Sequence, residues 1–263
     1  MKHKNIDGSN LVFPQDERIS FEEENHVYTI DGLLEFTSVS QVISKFFKEF
    51  DAEHWSLRKA DGNEEEARRL RDEWTAKGEQ ASQAGTHLHK QIENFLSEGM
   101  EPTLTTHVFY QGPYCRIDED ISIDREWHHF ESFRREHPIV PFRTEWCVFD
   151  ADAKIAGTID LLCRCDDGTF QIFDWKRSNR INPDDVNRWA SGINGLEHIT
   201  DTAYMHYCLQ QNLYRYILER NYGLQISRMH LVVLHPDLPD YRLVEIPPMP
   251  NEVNTIIRNY PYL

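Results

Sequence analysis

Asp160, Asp174 and Lys176 are the residues whose types and spacing carry the clearest chemistry. They lie in one stretch, Gly157-Thr158-Ile159-Asp160, then Asp166-Asp167-Gly168, then Asp174-Trp175-Lys176. Asp166-Asp167-Gly168 reads as a three-residue hairpin loop with glycine in the left-handed position. A hairpin centred on Asp167 pairs Asp160 with Asp174 and puts their Cβ atoms about 5 Å apart on one face. Lys176, two residues past Asp174, shares that face. Like charges directly opposite each other destabilise a sheet unless something compensates. A divalent cation is the simplest compensation, and hard oxygen donors suit Mg2+ or Mn2+. The lysine could orient or deprotonate a water, or steady charge developing on a phosphate. The bland alternative is a surface hairpin with ordinary charges. The apolar flanks Ile159, Leu161, Leu162, Ile172, Phe173 and Trp175 argue against it, since a charge inside such a run is costly to bury alone.

Two further groups stand beside this one. In Gly85-Thr86-His87-Leu88-His89, His89 shares a helix face with Glu93 four residues on. Imidazole suits Mn2+ and other transition metals better than Mg2+. A lone histidine is more often structural, and His87 is read that way. In Gln210-Gln211-Asn212-Leu213-Tyr214, Gln210 and Tyr214 share a face. Such a pair can hydrogen-bond or stack on a nucleic acid. Alone it reads as ordinary helix surface.

The elements that must position these groups follow from periodicity. Arg143–Phe149, Thr158–Cys165 and Thr169–Lys176 read as strands, and Arg228–His235 as a buried strand stopped by Pro236. Helices are expected after the N-cap Ser38, from about Glu79 to Leu96, near Asp124–Glu136 and over Thr202–Tyr222 with Gly223 as C-cap. His26–Ile30 and Leu33–Phe36 read as a hairpin about Asp31-Gly32. The charged stretch 51–78 reads as solvated helix, with a cap over the site as the sharper alternative. Residues 99–122 and the proline-rich tail show little regular structure, and 177–200 reads as a polar loop or short helix. The expected organisation is a loose N-terminus over 1–11, a hairpin and helical extension over 12–78, and a core with tail over 79–263. The fold class is α/β, a mixed sheet with helices on both faces.

Composition sets the outer bounds. The chain has 263 residues, 40% hydrophobic and 27% charged, which is globular rather than disordered. No run of about 18 apolar residues occurs, so no membrane partner is expected. The start lacks a secretory h-region. Five cysteines without a CxxC pair point to reduced thiols and an intracellular, cytoplasmic protein. The formal net charge of −16 argues against coating nucleic acid by bulk attraction. A local basic channel of Lys176, Arg177, Arg180 and Arg188 is expected instead. Trp175, Trp189, Tyr204 and Tyr207 are candidates to stack on single-stranded bases, with burial in the core as the bland alternative. No Walker A, GxGxxG, HExxH or GxSxG pattern occurs, so no nucleotide cofactor, zinc-protease site or hydrolase elbow is expected.

The motifs Gly85-Thr86-His87-Leu88-His89, Gly157-Thr158-Ile159-Asp160, Asp174-Trp175-Lys176 and Gln210-Gln211-Asn212-Leu213-Tyr214, in that order, resemble the PD-(D/E)XK nuclease superfamily. More narrowly they are similar to its RecB-like branch of viral and mitochondrial genome-maintenance exonucleases. The core of the resemblance covers about residues 79–235. It implies a restriction-endonuclease-like fold and a divalent-metal-dependent deoxyribonuclease. His89, Asp160, Asp174 and the Trp175 backbone carbonyl would hold Mg2+ or Mn2+, and Lys176 would serve the attacking water. Gln210 and Tyr214 would shape the site and contact nucleic acid. Beside what the resemblance implies, Glu145 and Glu93 are candidate supporting carboxylates, and Arg177 and Arg180 are candidate substrate contacts. The implied substrate is DNA, with single strands or free ends favoured, in repair, recombination or phage DNA processing. A bacterial or viral setting is favoured, and any helicase or recombination partner would be a separate chain. The family's name-giving proline is absent, since Ile159 precedes Asp160. No cysteine cluster follows the core, so no iron–sulfur cluster is expected. The rival readings are a catalytically silent binding or scaffold module of the same fold, and an RNA or structure-specific endonuclease.

Overall fold

The computed structural model describes residues 5–22, 25, 27–33 and 36–262. In chain order the elements are β1 (Ile19–Glu22), β2 (Val27–Ile30), β3 (Thr37–Ser38), α1 (Val39–Ser44), α2 (Ala52–Lys59) and α3 (Glu64–Glu98). They continue with β4 (Thr105–Gln111), β5 (Arg116–Ser122), α4 (Asp124–Glu136), β6 (Pro141–Asp150), β7 (Ile155–Arg164) and β8 (Phe170–Lys176). The chain closes with α5 (Ala203–Asn221), β9 (Ile226–Val233), β10 (Arg242–Glu245) and α6 (Pro250–Asn259). Two compact units result. One comprises Met1–Lys48, His137–Val233 and Arg242–Leu263, and the other Glu49–Glu136 and Leu234–Tyr241.

The first unit is a mixed sheet flanked by helices. Its strands run in the order β10-β9-β8-β7-β3, with β6 on the remaining edge of β7. β8 and β9 are parallel, and β7 is antiparallel to both β6 and β8. Both β6 and β8 pair with residues 161–163 of β7, so they take opposite edges. β3 pairs in parallel with Ile155 and Ala156, where β6 pairs too. One edge of β7 is therefore shared end to end by β8 and β3, and residues 157–160 lie in the fork between them. This fork is the feature that positions the site.

Local chemistry explains the helices that flank this sheet. Ser38 caps α1 in a capping box with Gln41. Thr202 caps α5 through the Met205 N–H. Gly223, at φ +67, lets the chain turn back so that the Leu224 N–H reaches the Leu218 carbonyl. Beneath them, Trp146 and Trp175 are fully buried. Arg143 is buried among Phe13, Phe142 and Trp146, with its guanidinium 4.3 Å from the Trp146 ring and 2.6 Å from Asp16.

The second unit is built on α3, 35 residues capped by Asn63 and ended by Gly99 at φ +68. Glu64, Glu65 and Glu66 suit the positive end of its dipole. α4 and the β4–β5 ribbon belong to the same unit.

Several expectations change. The boundary expected at 78/79 falls inside the continuous α3; the charged stretch breaks earlier, between α2 and α3, where Asp61 and Gly62 sit at positive φ. Residues 99–122 hold the β4–β5 ribbon; Val108 is its one buried strand residue, so period-two hydrophobicity was too faint to read. The tail holds β10 and α6. Pro250 opens α6 at its first turn, where a missing N–H costs nothing, and Val253 and Ile256 are buried. The N-terminal segment is not loose over 5–11. Asn5 is buried, donates to the carbonyls of Ser9 and Leu11 and accepts from Arg143 Nε. Residues 1–4 lie outside the described residues. β2 does turn at Asp31 and Gly32, both at positive φ, to an isolated bridge with Leu33, but its long partner is β1. His26, Leu34 and Glu35 of the expected hairpin lie outside the described residues.

Candidate metal centre on the central sheet

The hairpin register is the one expected: Leu161 faces Phe173 and Arg164 faces Phe170 across the loop. The ladder stops at Leu161, one pair short of Asp160 and Asp174. There β8 stays with β9, whose parallel ladder continues through Asp174, Trp175 and Lys176. The expected rung between the two aspartates is replaced by a side-chain bond: Asp160 Oδ2 accepts from the Trp175 N–H at 2.8 Å. A carboxylate thus takes the place of a main-chain acceptor. In a strand the N–H and C=O of one residue point to the same edge, so the Trp175 carbonyl is directed to this fork as well.

On the other side of β7, Thr144 faces Leu161 and Trp146 faces Ile159, which brings Glu145 level with Asp160. Glu145 drops out of the ladder with φ +44, in the left-handed region that a non-glycine residue seldom adopts. Its carboxylate and that of Asp160 each present an oxygen within 4.8 Å of the other. Glu145, Asp160 and Asp174 therefore form a row across β6, β7 and β8. Oxygens so placed could hold a metal ion.

Asp174 is buried and doubly held. Its Oδ1 accepts from Gln211 Nε2 at 2.8 Å, and Lys176 Nζ lies 2.5 Å from its Oδ2. Lys176 also sits 4.6 Å from the Tyr207 ring centre. Burial by itself would lower the Lys176 pKa. The charges of Asp174 and Asp160 outweigh it and hold the pKa above the ordinary lysine value.

Tyr214 supports the row from behind. A Cβ at Gly157 would lie 2.6 Å from Tyr214 Cε1, so the motif glycine is the space this ring occupies. The ring is buried, and burial together with nearby acidic groups raises its pKa well above the ordinary value. It stays a neutral phenol and accepts from Gln210 Nε2 at 3.3 Å. Tyr214 therefore packs against Gly157 in the interior, which accords with the expectation that it shapes the site. Tyr28 closes the same side of β7 with a 2.9 Å hydrogen bond to Thr158 Oγ1.

The remaining candidates divide cleanly. Trp175 and Tyr204 are buried, which removes them as base-stacking surfaces. Arg177 is half-buried, Arg180 and Arg188 are exposed, and Trp189 is 96% exposed. His89 and Glu93 belong to α3 in the other unit. His89 is half-buried, and Glu93 is paired with Lys90 at 2.7 Å. His87 Nε2 bonds the Thr103 carbonyl at 2.6 Å, a structural contact as expected.

Gln211 is the functional residue that sequence reasoning missed. It lies on the buried stripe of α5 with Tyr204, Cys208 and Leu218. A polar side chain on such a stripe demands a partner, and that was the available signal.

The chain matches no family model and no curated protein. Among solved structures it is similar to the crystal structure of SSO0001, at 15% identity and a TM-score of 0.34, over 85% of this chain and 72% of that one. A likeness at that level carries no argument about chemistry.

Proposed function

We propose that the chain is a divalent-metal-dependent nuclease that hydrolyses phosphodiester bonds in DNA, acting as an exonuclease on single strands or free ends. The observation that carries this reading is the trio Glu145, Asp160 and Asp174 on the adjoining strands β6, β7 and β8: an oxygen of Glu145 lies within 4.8 Å of one of Asp160, and the charges of Asp160 and Asp174 both bear on Lys176, which pairs with Asp174. Three neighbouring carboxylates with one ammonium leave an excess of negative charge, and a hard cation is its natural complement. The preference for DNA and for ends rests on the motif resemblance.

Asp160, Asp174 and Glu145 would hold the cation, with the Trp175 carbonyl as a further ligand drawn from the same resemblance. When bound, such a cation polarises a phosphoryl oxygen and makes a coordinated water more acidic. The protein's own residues do the rest. Gln211 fixes the rotation of the Asp174 carboxylate by occupying Oδ1, which leaves Oδ2 turned to Lys176. Lys176, held as an ammonium by the charges of Asp174 and Asp160, would attract and steady phosphate charge. Trp175, fully buried, anchors the strand end from which both flanking charges project.

The test is degradation of end-labelled linear and closed circular DNA with Mg2+, Mn2+ or chelator. Metal-dependent shortening of linear strands, lost in Asp174→Asn and Lys176→Met proteins that keep wild-type circular dichroism, is the expected result. Equal cleavage by wild type and both variants would reject the site. Absence of cleavage alongside tight Mn2+ binding would favour the silent binding module.

A further inference from the structure

Residues 177–202 join two elements that both carry site residues. The segment leaves β8 directly after Lys176 and enters α5 at Ala203. Lys176 and Tyr207, at its two ends, are in contact. A loop whose ends meet at one contact rises from the rim of that site.

The loop is fastened. Ser191 and Thr200 form a bridge across its stem. Arg242 donates to the carbonyl of the buried Ile181. Asn187 receives the N–H groups of Trp189 and Ala190 on its Oδ1, donates to the Asp201 carbonyl, and bonds Thr200 Oγ1 through its own N–H. The backbone on both sides of Trp189 is therefore held. Yet its indole is 96% exposed, more than any other large hydrophobic residue described. Tryptophan has more apolar surface to hide than any other side chain, so a bare indole on a held backbone marks a place where something binds.

Its surroundings identify the occupant. A protein interface buries about 800 Å² on each partner, far more than one ring supplies. One ring does match one nucleobase face. Arg180 and Arg188 are exposed on the same loop and offer guanidinium groups to phosphates. The loop's acids are partly engaged within the turn, where Asp185 Oδ1 accepts from Asn182 Nδ2.

We propose that Trp189 is a stacking platform for an unpaired base of a nucleic-acid strand, with Arg180 and Arg188 meeting the adjacent phosphates as the strand approaches the carboxylate row. This rests on the nuclease reading for its substrate class.

The experiment is binding of a fluorescent oligo-dT strand by the full chain, in chelator so that nothing is cut, read by anisotropy. Trp189→Ala should weaken binding at least about fivefold, and Trp189→Phe should restore most of it. An abasic strand of equal length should bind wild type no better than oligo-dT binds Trp189→Ala. Quenching of intrinsic fluorescence by oligo-dT should shrink in Trp189→Ala. The indole is almost wholly exposed, so the variant folds, and an unchanged melting curve checks this. Equal affinity of wild type and Trp189→Ala, equal binding of abasic and base-bearing strands, or no strand binding by wild type would overturn the proposal. So would a wild-type oligomer that Trp189→Ala converts to monomer, since the indole would then belong to an interface between copies. Trp189-dependent binding without any metal-dependent cleavage would keep this inference and reject the nuclease reading.

Discussion

Replacing Lys176 with methionine tests the electrostatics of the row directly. The ion pair is short, 2.5 Å, and shielded, with side-chain exposures of 16% for Lys176 and 3% for Asp174. Removing one partner of a buried pair costs about 3–5 kcal/mol, because the other charge is left uncompensated. Here the stranded Asp174 would also face Asp160, whose charge already bears on Lys176. At about 2–4 °C per kcal/mol, Lys176→Met should melt about 6–20 °C below wild type in chelator. Asp174→Asn in the same chain should recover most of the loss, since an amide can still accept from Gln211 and carries no charge. Mn2+ should stabilise Lys176→Met by more than it stabilises wild type, because a cation bound to the row substitutes for the missing ammonium. The Lys176 pKa is raised on folding, so its contribution is complete below the ordinary lysine pKa of about 10.4 and fades only as pH climbs past that value. The melting difference should therefore be flat from about pH 6 to 9. Scanning calorimetry of the three proteins, with chelator and with Mn2+, reads all of this. A Lys176→Met protein melting within about 2 °C of wild type in chelator would refute the burial argument. Failure of Mn2+ to stabilise either protein would refute the metal site.

Gly157→Ala should destabilise by about 1–3 kcal/mol in urea unfolding, because its Cβ would sit 2.6 Å from Tyr214 Cε1, and Tyr214→Leu in the same chain should return part of that. Gln211→Leu should cost about 1.5–3 kcal/mol, the worth of a hydrogen bond to a charged group, and a loss below about 0.5 kcal/mol would show that Asp174 is held without it. Glu145→Gly should be more stable than Glu145→Ala by about 1 kcal/mol, since only glycine is at ease at φ +44. Calorimetric Mn2+ titration should show both Glu145 variants binding more weakly than wild type, and unchanged affinity would remove Glu145 from the ligand set.

Most of the sheet was legible because its strands are apolar runs bounded by turn signals. The register about Asp167 was legible because glycine in the loop fixes it, and four ladder pairs follow that register. The rung at Asp160 and Asp174 was not, because strand divergence depends on what lies beside the hairpin. Only the fold reveals that β9 keeps Asp174 and Lys176 while β3 takes the far end of β7. The strain at Glu145 was invisible for a similar reason: strand propensity says nothing of one residue turned out of its ladder. Gln211 was hidden by its neighbour, since attention to Gln210 and Tyr214 followed a motif and not the buried stripe. The β4–β5 ribbon was missed because an exposed ribbon has no apolar face to alternate.

The fork explains why charged residues collect where a sheet would normally exclude them. Where two strands part, main-chain donors and acceptors lose their ladder partners and must find others. Asp160 answers this by accepting from Trp175, but doing so fixes a carboxylate in the fork. Asp174 enters the same fork from β8 and would be costly to bury there without Gln211 and Lys176. Asp160 thus accepts from one local donor and Asp174 is held by two partners, and a carboxylate that has accepted one or two bonds keeps capacity for another ligand. The overall charge of −16 does not oppose this arrangement. Screening confines exposed charges to about 8 Å at physiological ionic strength, so a strand bound as proposed on the loop after Lys176 would feel Lys176, Arg180 and Arg188 more than distant acids. On the proposed reading, neutralisation of the row by a divalent cation and approach of a polyanion would be coupled. A phosphate could come close to Glu145, Asp160 and Asp174 only once their charge is offset, so metal and strand would each strengthen the binding of the other.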